Sequence, residues 1–304
     1  MVNPSIFVNP KSGSIKISGA FDLVDVDGMV IQTRENPKLC GCGLSKDKPW
    51  CDSSHGEYVN IVANHLQNAR ILAKAAPLFG TTPVRAREIR EKGLKDRLES
   101  GEKLVGVKVG GALDSTKKPE LVYKNIFGYL TDAMKCSDSL KVSALIYPRV
   151  EAEVVFKLSQ DLNQEIKLSQ TLDYVSHVAV GMEILDYRFG EVECYADDAI
   201  ADNAGAAAFA YGSWANAREV IFEDLTAKVL INNQPVTSAP LTAIQGNPWQ
   251  VIVELSILLT ELGVTLPAGS IVFSGSATTG IAMEAGKTYR VEIAGVGSVE
   301  VKTN

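Results

Sequence analysis

Residues 40–55 read Cys-Gly-Cys-Gly-Leu-Ser-Lys-Asp-Lys-Pro-Trp-Cys-Asp-Ser-Ser-His, and no other stretch limits the folding of this chain so strongly. Three of its five cysteines and one of its three histidines fall in that run. Cys40 and Cys42 put two thiols on one tight loop, Pro49 stiffens the return to Cys51, and His55 follows four residues later. Three soft thiolates and an imidazole suit an iron–sulfur cluster or zinc and not calcium or magnesium. Exposed thiols without such a task are disfavoured in a polar turn.

The remaining 250-odd residues are too many to be explained by that loop. At 304 residues the chain is long enough for a large core and two domains. A 46% apolar content with mean hydropathy near zero is that of a globular protein. The net charge of −6 argues against nucleic acid or an anionic membrane as partner. No apolar run of about twenty residues predicts a transmembrane helix, and the start of the chain shows no secretory pattern. Cys136 and Cys194 stand far apart, so the thiols fit a reducing cytoplasm better than a disulfide framework.

Between residues 5 and 34, short β-rich runs (Ser14 to Ser18, Phe21 to Val26, Met29 to Thr33) alternate with turn signals, and Asp27-Gly28 is a strong hairpin cue. From Tyr58 the pattern is helical, with Ile61, Leu66, Ala69, Leu72 and Ala75 near helical spacing. A turn at Gly80 to Pro83 leads to a charged helix ending at Ser100-Gly101. Strands are then expected over 105–109, 143–158, 175–189, 226–231, 271–273, 288–293 and 298–301, with one helix over 248–262. The class is α+β, mostly β: a small β module at 1–57, then a larger β-rich domain at 58–304 with flanking helices.

Two features of the large domain carry chemistry. In the run Pro148 to Phe156, strand alternation turns Glu151 and Glu153 to one face. Glu183 sits in a second apolar strand. Three such carboxylates form a hard-oxygen set suited to Mg²⁺ or Mn²⁺, although spacing alone favours a solvated edge face. Lys108, in Leu104 to Gly111, reads either as an edge lysine or as a desolvated acid–base group or substrate clamp.

The cysteine run, with its Cys-x-Cys spacing and Cys51-Asp52-Ser53-Ser54-His55 ending, resembles the CDGSH iron–sulfur domain family over about residues 5–57. The resemblance implies a [2Fe–2S] cluster on Cys40, Cys42, Cys51 and His55. Ser53 departs from the family's glycine, a strained choice if that position needs positive φ. Downstream, six pieces occur in order: Val105 to Gly110, Phe127 to Leu130, Tyr147 to Phe156, Gly181 to Arg188, Ala201 to Gly205 and Val272 to Ser276. Together they resemble the fumarylacetoacetase (FAH) superfamily, in particular the branch of 2-oxopent-4-enoate hydratase and 4-oxalocrotonate decarboxylase. That resemblance implies a mixed β-roll, a divalent metal on Glu151, Glu153 and Glu183, and Lys108 in the active site.

Departures bear on the reaction. Ile126 stands where the hydratases carry an aspartate, and an isoleucine can neither position nor activate water; the decarboxylases carry an aliphatic residue there. Gly205 replaces a frequent serine, and Gly111-Ala112-Leu113 replaces Gly-Leu-Thr, which removes hydroxyls near the expected pocket. The resulting expectation is a metal-dependent decarboxylase of a 2-oxo dicarboxylic acid, with Ile126 and Ser276 at the substrate. The alternatives are hydration of a 2-hydroxydienoate, with an acid such as Asp132 placing the water, and an iron–sulfur redox or cluster-transfer module on an enzyme-like scaffold. A homo-oligomer and a redox partner for the cluster complete the expectation.

Overall fold

The computed structural model describes residues 5–8, 15–39, 45–53, 83–110, 126–136, 139–186 and 196–304. Strands β1 (Ser5–Val8), β2 (Ile15–Ser18) and β5 (Lys38–Leu39) form one small sheet, and β3 (Ala20–Val24) and β4 (Val30–Glu35) form a hairpin. The hairpin turns where Asp27-Gly28 predicts it. Gly28 takes φ +82°, and the Asp25 carboxylate accepts from the Asp27 and Met29 N–H groups. Trp50 is the plug of this module: it is buried, edge-on to Phe21, under the Arg34 guanidinium, and donates through Nε1 to Gln32 at 2.7 Å.

The charged helix is Pro83–Glu99, with Pro83 at its first position, where its missing N–H costs nothing. The expected helix from Tyr58 lies outside the described residues. Thirteen strands follow: β6 (Leu104–Gly110), β7 (Ile126–Thr131), β8 (Ser139–Leu140), β9 (Pro148–Leu158), β10 (Val175–Asp186), β11 (Ala206–Tyr211), β12 (Ala215–Asn216), β13 (Thr226–Ile231), β14 (Gln234–Pro240), β15 (Ile271–Phe273), β16 (Ile281–Ala282), β17 (Thr288–Ile293) and β18 (Gly297–Thr303). An eight-stranded sheet runs β11-β10-β9-β15-β6-β7, with β12 and β16 off that path, and a five-stranded sheet runs β14-β13-β17-β18-β8.

The large sheet curls until its ends meet. Just past β7, Lys135 bridges to Phe209 of β11, and the Cys136 N–H donates to the Phe209 carbonyl at 2.8 Å. Register shifts at Leu104/Gly106 in β6, Val175/His177 in β10 and Ile184/Leu185 between β10 and β11 supply local bending. Alternation then sorts the side chains. Val107, Val109, Phe127, Val150, Val154, Phe156, Val180 and Met182 belong to the main core, together with Val229, Val291, Val301 and the helix Gln250–Leu262. The other face, inside the roll, carries a smaller apolar cluster around Leu130, Val155, Phe209 and Phe273.

Several boundaries differ from expectation. The strand expected from Ser143 starts at Pro148, because Val142–Ala144 is a 3-10 turn and buried Asp186 accepts from the Ile146 and Tyr147 N–H groups. Three of the longer strands, of six or seven residues each, escape the sequence reading. Ile126–Thr131 is interrupted by Gly128, Ala206–Tyr211 is rich in alanine, and Gln234–Pro240 contains two prolines on an edge.

Candidate active site

Antiparallel pairing of β9 and β10 sets Glu151 opposite Glu183 and Glu153 opposite Gly181. All three carboxylates face the inside of the roll, and one ligand oxygen from each lies within 4.8 Å of the others. Lys108 arrives on β6 by way of β15, which pairs Phe273 with Lys108 on one side and with Val155 on the other. Its Nζ stands 3.2 Å from Glu183 Oε1. Lys108, Glu153 and Glu183 are 4%, 0% and 1% exposed, while Glu151 is half-buried at the mouth.

Hydrogen bonding inside this group is incomplete. Glu153 Oε2 accepts from the Gly275 N–H at 2.9 Å, but Glu153 Oε1 and Glu183 Oε2 are buried without a hydrogen bond, and Glu183 Oε1 has only the Lys108 ammonium at 3.2 Å. Buried carboxylate oxygens left this way cost several kcal/mol unless a cation or a proton satisfies them. An all-oxygen donor set of three carboxylates fits a hard divalent cation such as Mg²⁺ or Mn²⁺.

The electrostatics agree with that fit. Burial, reinforced by Glu183, pushes the Glu151 carboxyl up to about 7 against the pull of Lys108 and Arg149. Burial and Glu183 likewise hold Glu153 well above the ordinary carboxylate range. Burial alone would lower the Lys108 ammonium, yet Glu183, Glu153 and Glu151 together hold it above its usual value. Between about pH 4.5 and 7 the folded, cation-free protein thus binds more protons than the unfolded chain, so these carboxyls reduce its stability as pH rises. A bound cation requires the ionised forms. Saturating Mg²⁺ is therefore expected to raise the melting temperature more at pH 8 than at pH 5.5, and an equal or reversed increment would rule out these carboxylates as ligands.

An apolar wall stands beside Lys108. A methyl group on Gly110 would lie 3.2 Å from Lys108 Nζ, 3.8 Å from Ile126 Cγ1 and 4.0 Å from Ala204 Cβ, so all three groups border one small space. Ala204 is brought there by three successive residues at positive φ, Asn203, Ala204 and Gly205. The Asn203 side chain accepts from the Tyr129 N–H at 2.7 Å and donates to the Tyr129 carbonyl at 2.9 Å, extending the β7 edge like another strand. Gly128 is required below it, since a Cβ there would meet the Asn203 carbonyl oxygen at 2.1 Å. Sequence reasoning noticed Ala201 to Gly205 only as a family phrase. Asn and Gly at its third and fifth positions are the available signal, because both tolerate the left-handed region.

The other candidates fall as follows. Ser276 lies on the loop just after Gly275, but its hydroxyl donates to the Thr278 carbonyl and accepts from the Thr278 N–H, so it is engaged within its own turn. Asp132 is exposed beyond the far end of β7, where it accepts from the Lys103 and Ala133 N–H groups. It does not join the carboxylate group. In the small module, Cys51 is half-buried, its N–H donates to the Lys38 carbonyl, and Ser53 adopts φ +70°, the strained conformation that its replacement of glycine makes relevant. Cys40, Cys42 and His55 lie outside the described residues.

Comparisons with known proteins separate the same two parts. The iron-binding zinc finger CDGSH-type family matches residues 12–56. The C-terminal fumarylacetoacetate (FAA) hydrolase family matches residues 134–303. A 4-oxalocrotonate decarboxylase from a Pseudomonas species is 30% identical over 251 residues, covering 81% of this chain and 98% of the relative. A 2-hydroxyhexa-2,4-dienoate hydratase from Comamonas testosteroni is 31% identical, covering 69% of this chain and 81% of its own. Among solved structures, 4-oxalocrotonate decarboxylase from Pseudomonas putida G7, complexed with magnesium and adipate, superposes with a TM-score of 0.76 at 26% identity, over 82% of this chain and 98% of that one. A curled sheet with inward carboxylates, a family match over more than half the chain and relatives matched nearly end to end converge: the protein belongs to the fumarylacetoacetate hydrolase family and carries an N-terminal CDGSH-type domain.

Proposed function

We propose that the chain is a divalent-cation-dependent lyase that releases CO₂ from a small 2-oxo dicarboxylic acid, of the kind met in aromatic ring-cleavage catabolism. The observation that carries this reading is the inward group of Glu151, Glu153 and Glu183, with orphaned oxygens, beside a buried lysine and an aliphatic wall. The relatives include a decarboxylase and a hydratase, both lyases.

Glu151, Glu153 and Glu183 would hold Mg²⁺ or Mn²⁺, which supplies Lewis-acid stabilisation of negative charge developing on the substrate's 2-oxo group. Lys108, kept protonated by its carboxylate neighbours, holds the substrate's carboxylate or delivers a proton to the dienolate that the loss of CO₂ leaves. The electron pair of the broken C–C bond passes into the conjugated chain towards the 2-oxo oxygen. Ile126 and Ala204 border the space beside Lys108 without a polar atom, which disfavours the placement of an attacking water. Full-length protein with Mg²⁺ and 4-oxalocrotonate should release one CO₂ per substrate consumed. A hydroxylated 2-oxo acid formed without CO₂ would establish the hydratase reading suggested by the second relative.

We assign residues 1–57 to a [2Fe–2S] domain on Cys40, Cys42, Cys51 and His55, and residues 58–304 to the enzyme, working as a homo-oligomer in the reducing cytoplasm. Decarboxylation needs no electrons, so the cluster is accessory and open to a redox partner. Purified full-length protein should hold two iron atoms and a visible chromophore. Removal of residues 1–57 should abolish both and leave CO₂ release within about threefold of the full chain. Loss of turnover on truncation would favour a catalytic or assembly role for the small domain.

A further inference from the structure

The roll has a second mouth. Along β9 the inward side chains run Glu151, Glu153, Val155, Lys157, so the strand that begins in the carboxylate group ends in a lysine at the opposite end. A cavity of about 430 Å³ opens there, floored by Val105, Phe209 and Ile271 and separated from the carboxylates by the packed layer of Val155, Phe209 and Phe273.

The lining of that cavity has a definite chemistry. Tyr211 and Trp214 stand with ring centroids 4.9 Å apart. Lys135 Nζ lies 4.2 Å from the Tyr211 ring centre and donates to its hydroxyl at 3.1 Å, and Lys157 Nζ lies 5.9 Å from the Trp214 ring centre. Neither lysine has a salt-bridge partner among the described residues, in a chain of net charge −6. The acid on the rim, Asp132, is engaged by backbone N–H groups. Ser270, 7% exposed, also lines the cavity, and no hydrogen bond engages its hydroxyl among the described residues.

We propose that this second mouth binds a small monocarboxylate with a flat apolar body. The carboxylate sits between Lys135 and Lys157, the Ser270 hydroxyl offers one further donor, and the ring or conjugated chain lies against Tyr211, Trp214 and the apolar floor. Two ammonium groups supply the sign of charge, and adjacent aromatic faces select planar over branched ligands. The site lies apart from the carboxylate group and does not depend on the proposed reaction.

Benzoate is a suitable probe, titrated into the full chain and followed by saturation-transfer NMR. Saturable binding is expected with a dissociation constant of roughly a millimolar, the strength usual for so small a ligand. Glu153→Gln, which disables the carboxylate group, should leave that constant within about twofold. The double substitution Lys135→Ala/Lys157→Ala, at two solvent-accessible positions, should weaken it about tenfold or more, and benzyl alcohol should bind correspondingly poorly to the wild type. Absence of saturable binding overturns the proposal. So does binding that is lost in Glu153→Gln but retained in the double lysine variant, which would place benzoate among the carboxylates.

Discussion

Glu153→Gln is expected to eliminate Mg²⁺ and Mn²⁺ binding and to lower turnover by about 10³-fold, while making the cation-free protein harder to melt. The two effects have one cause. Glu153 is fully buried, and its Oε1 has no hydrogen bond, so its ionised form is disfavoured by desolvation and by Glu183. Glutamine keeps the shape and still accepts the Gly275 N–H, but carries no charge to bury. The cation-free variant should therefore melt roughly 3 °C or more above the cation-free wild type at pH 8, with the gap narrowing as the pH falls, because burial and Glu183 hold the wild-type carboxyl above the ordinary carboxylate range. Calorimetric titration with Mg²⁺ and melting curves in chelator check both halves. Retained Mg²⁺ affinity within about threefold of wild type would remove Glu153 from the ligand set.

Lys108→Met should separate chemistry from cation binding. An ammonium 3.2 Å from Glu183 Oε1 competes with a cation for that oxygen, so its removal should tighten Mg²⁺ binding at pH 7. CO₂ release should nevertheless fall by about 10²- to 10⁴-fold, the usual cost of deleting a positioned acid. A merely structural lysine would give the opposite pattern, with weaker cation binding and turnover reduced only in proportion. Turnover above about a tenth of wild type would exclude Lys108 from the reaction. The cation-free variant should also be least stable at high pH, where three carboxylates crowd together without their counter-charge.

How much of this was legible beforehand can be judged strand by strand. β13, β15 and β17 are found where their β-branched residues and turn signals place them. The helix Gln250–Leu262 follows its Leu255 and Leu259 stripe and stops at Gly263, which takes the left-handed conformation at φ +65°. β7 and β11 were not legible, because a glycine interrupts the first and alanines fill the second, and both become strands only by pairing with β6 and β10. The same limit applies to Asn203. Its amide spans both backbone groups of Tyr129, a partner 74 positions away that no local pattern announces.

Residue type and spacing by themselves gave the candidate donors of both halves: soft sulfur and imidazole in residues 40–55, hard oxygen at 151, 153 and 183. They also put Glu151 and Glu153 on one face, because a strand alternates sides with a period of two. Whether that face met water or a closed interior was decided only by the tertiary structure. The curled sheet turns it inward, sets Glu183 opposite Glu151 across the ladder, and carries Lys108 to Glu183 through β15. Curvature and register are properties of paired strands and not of any one of them. That is why three glutamates that spacing alone could leave on a solvated edge gather beside a buried lysine.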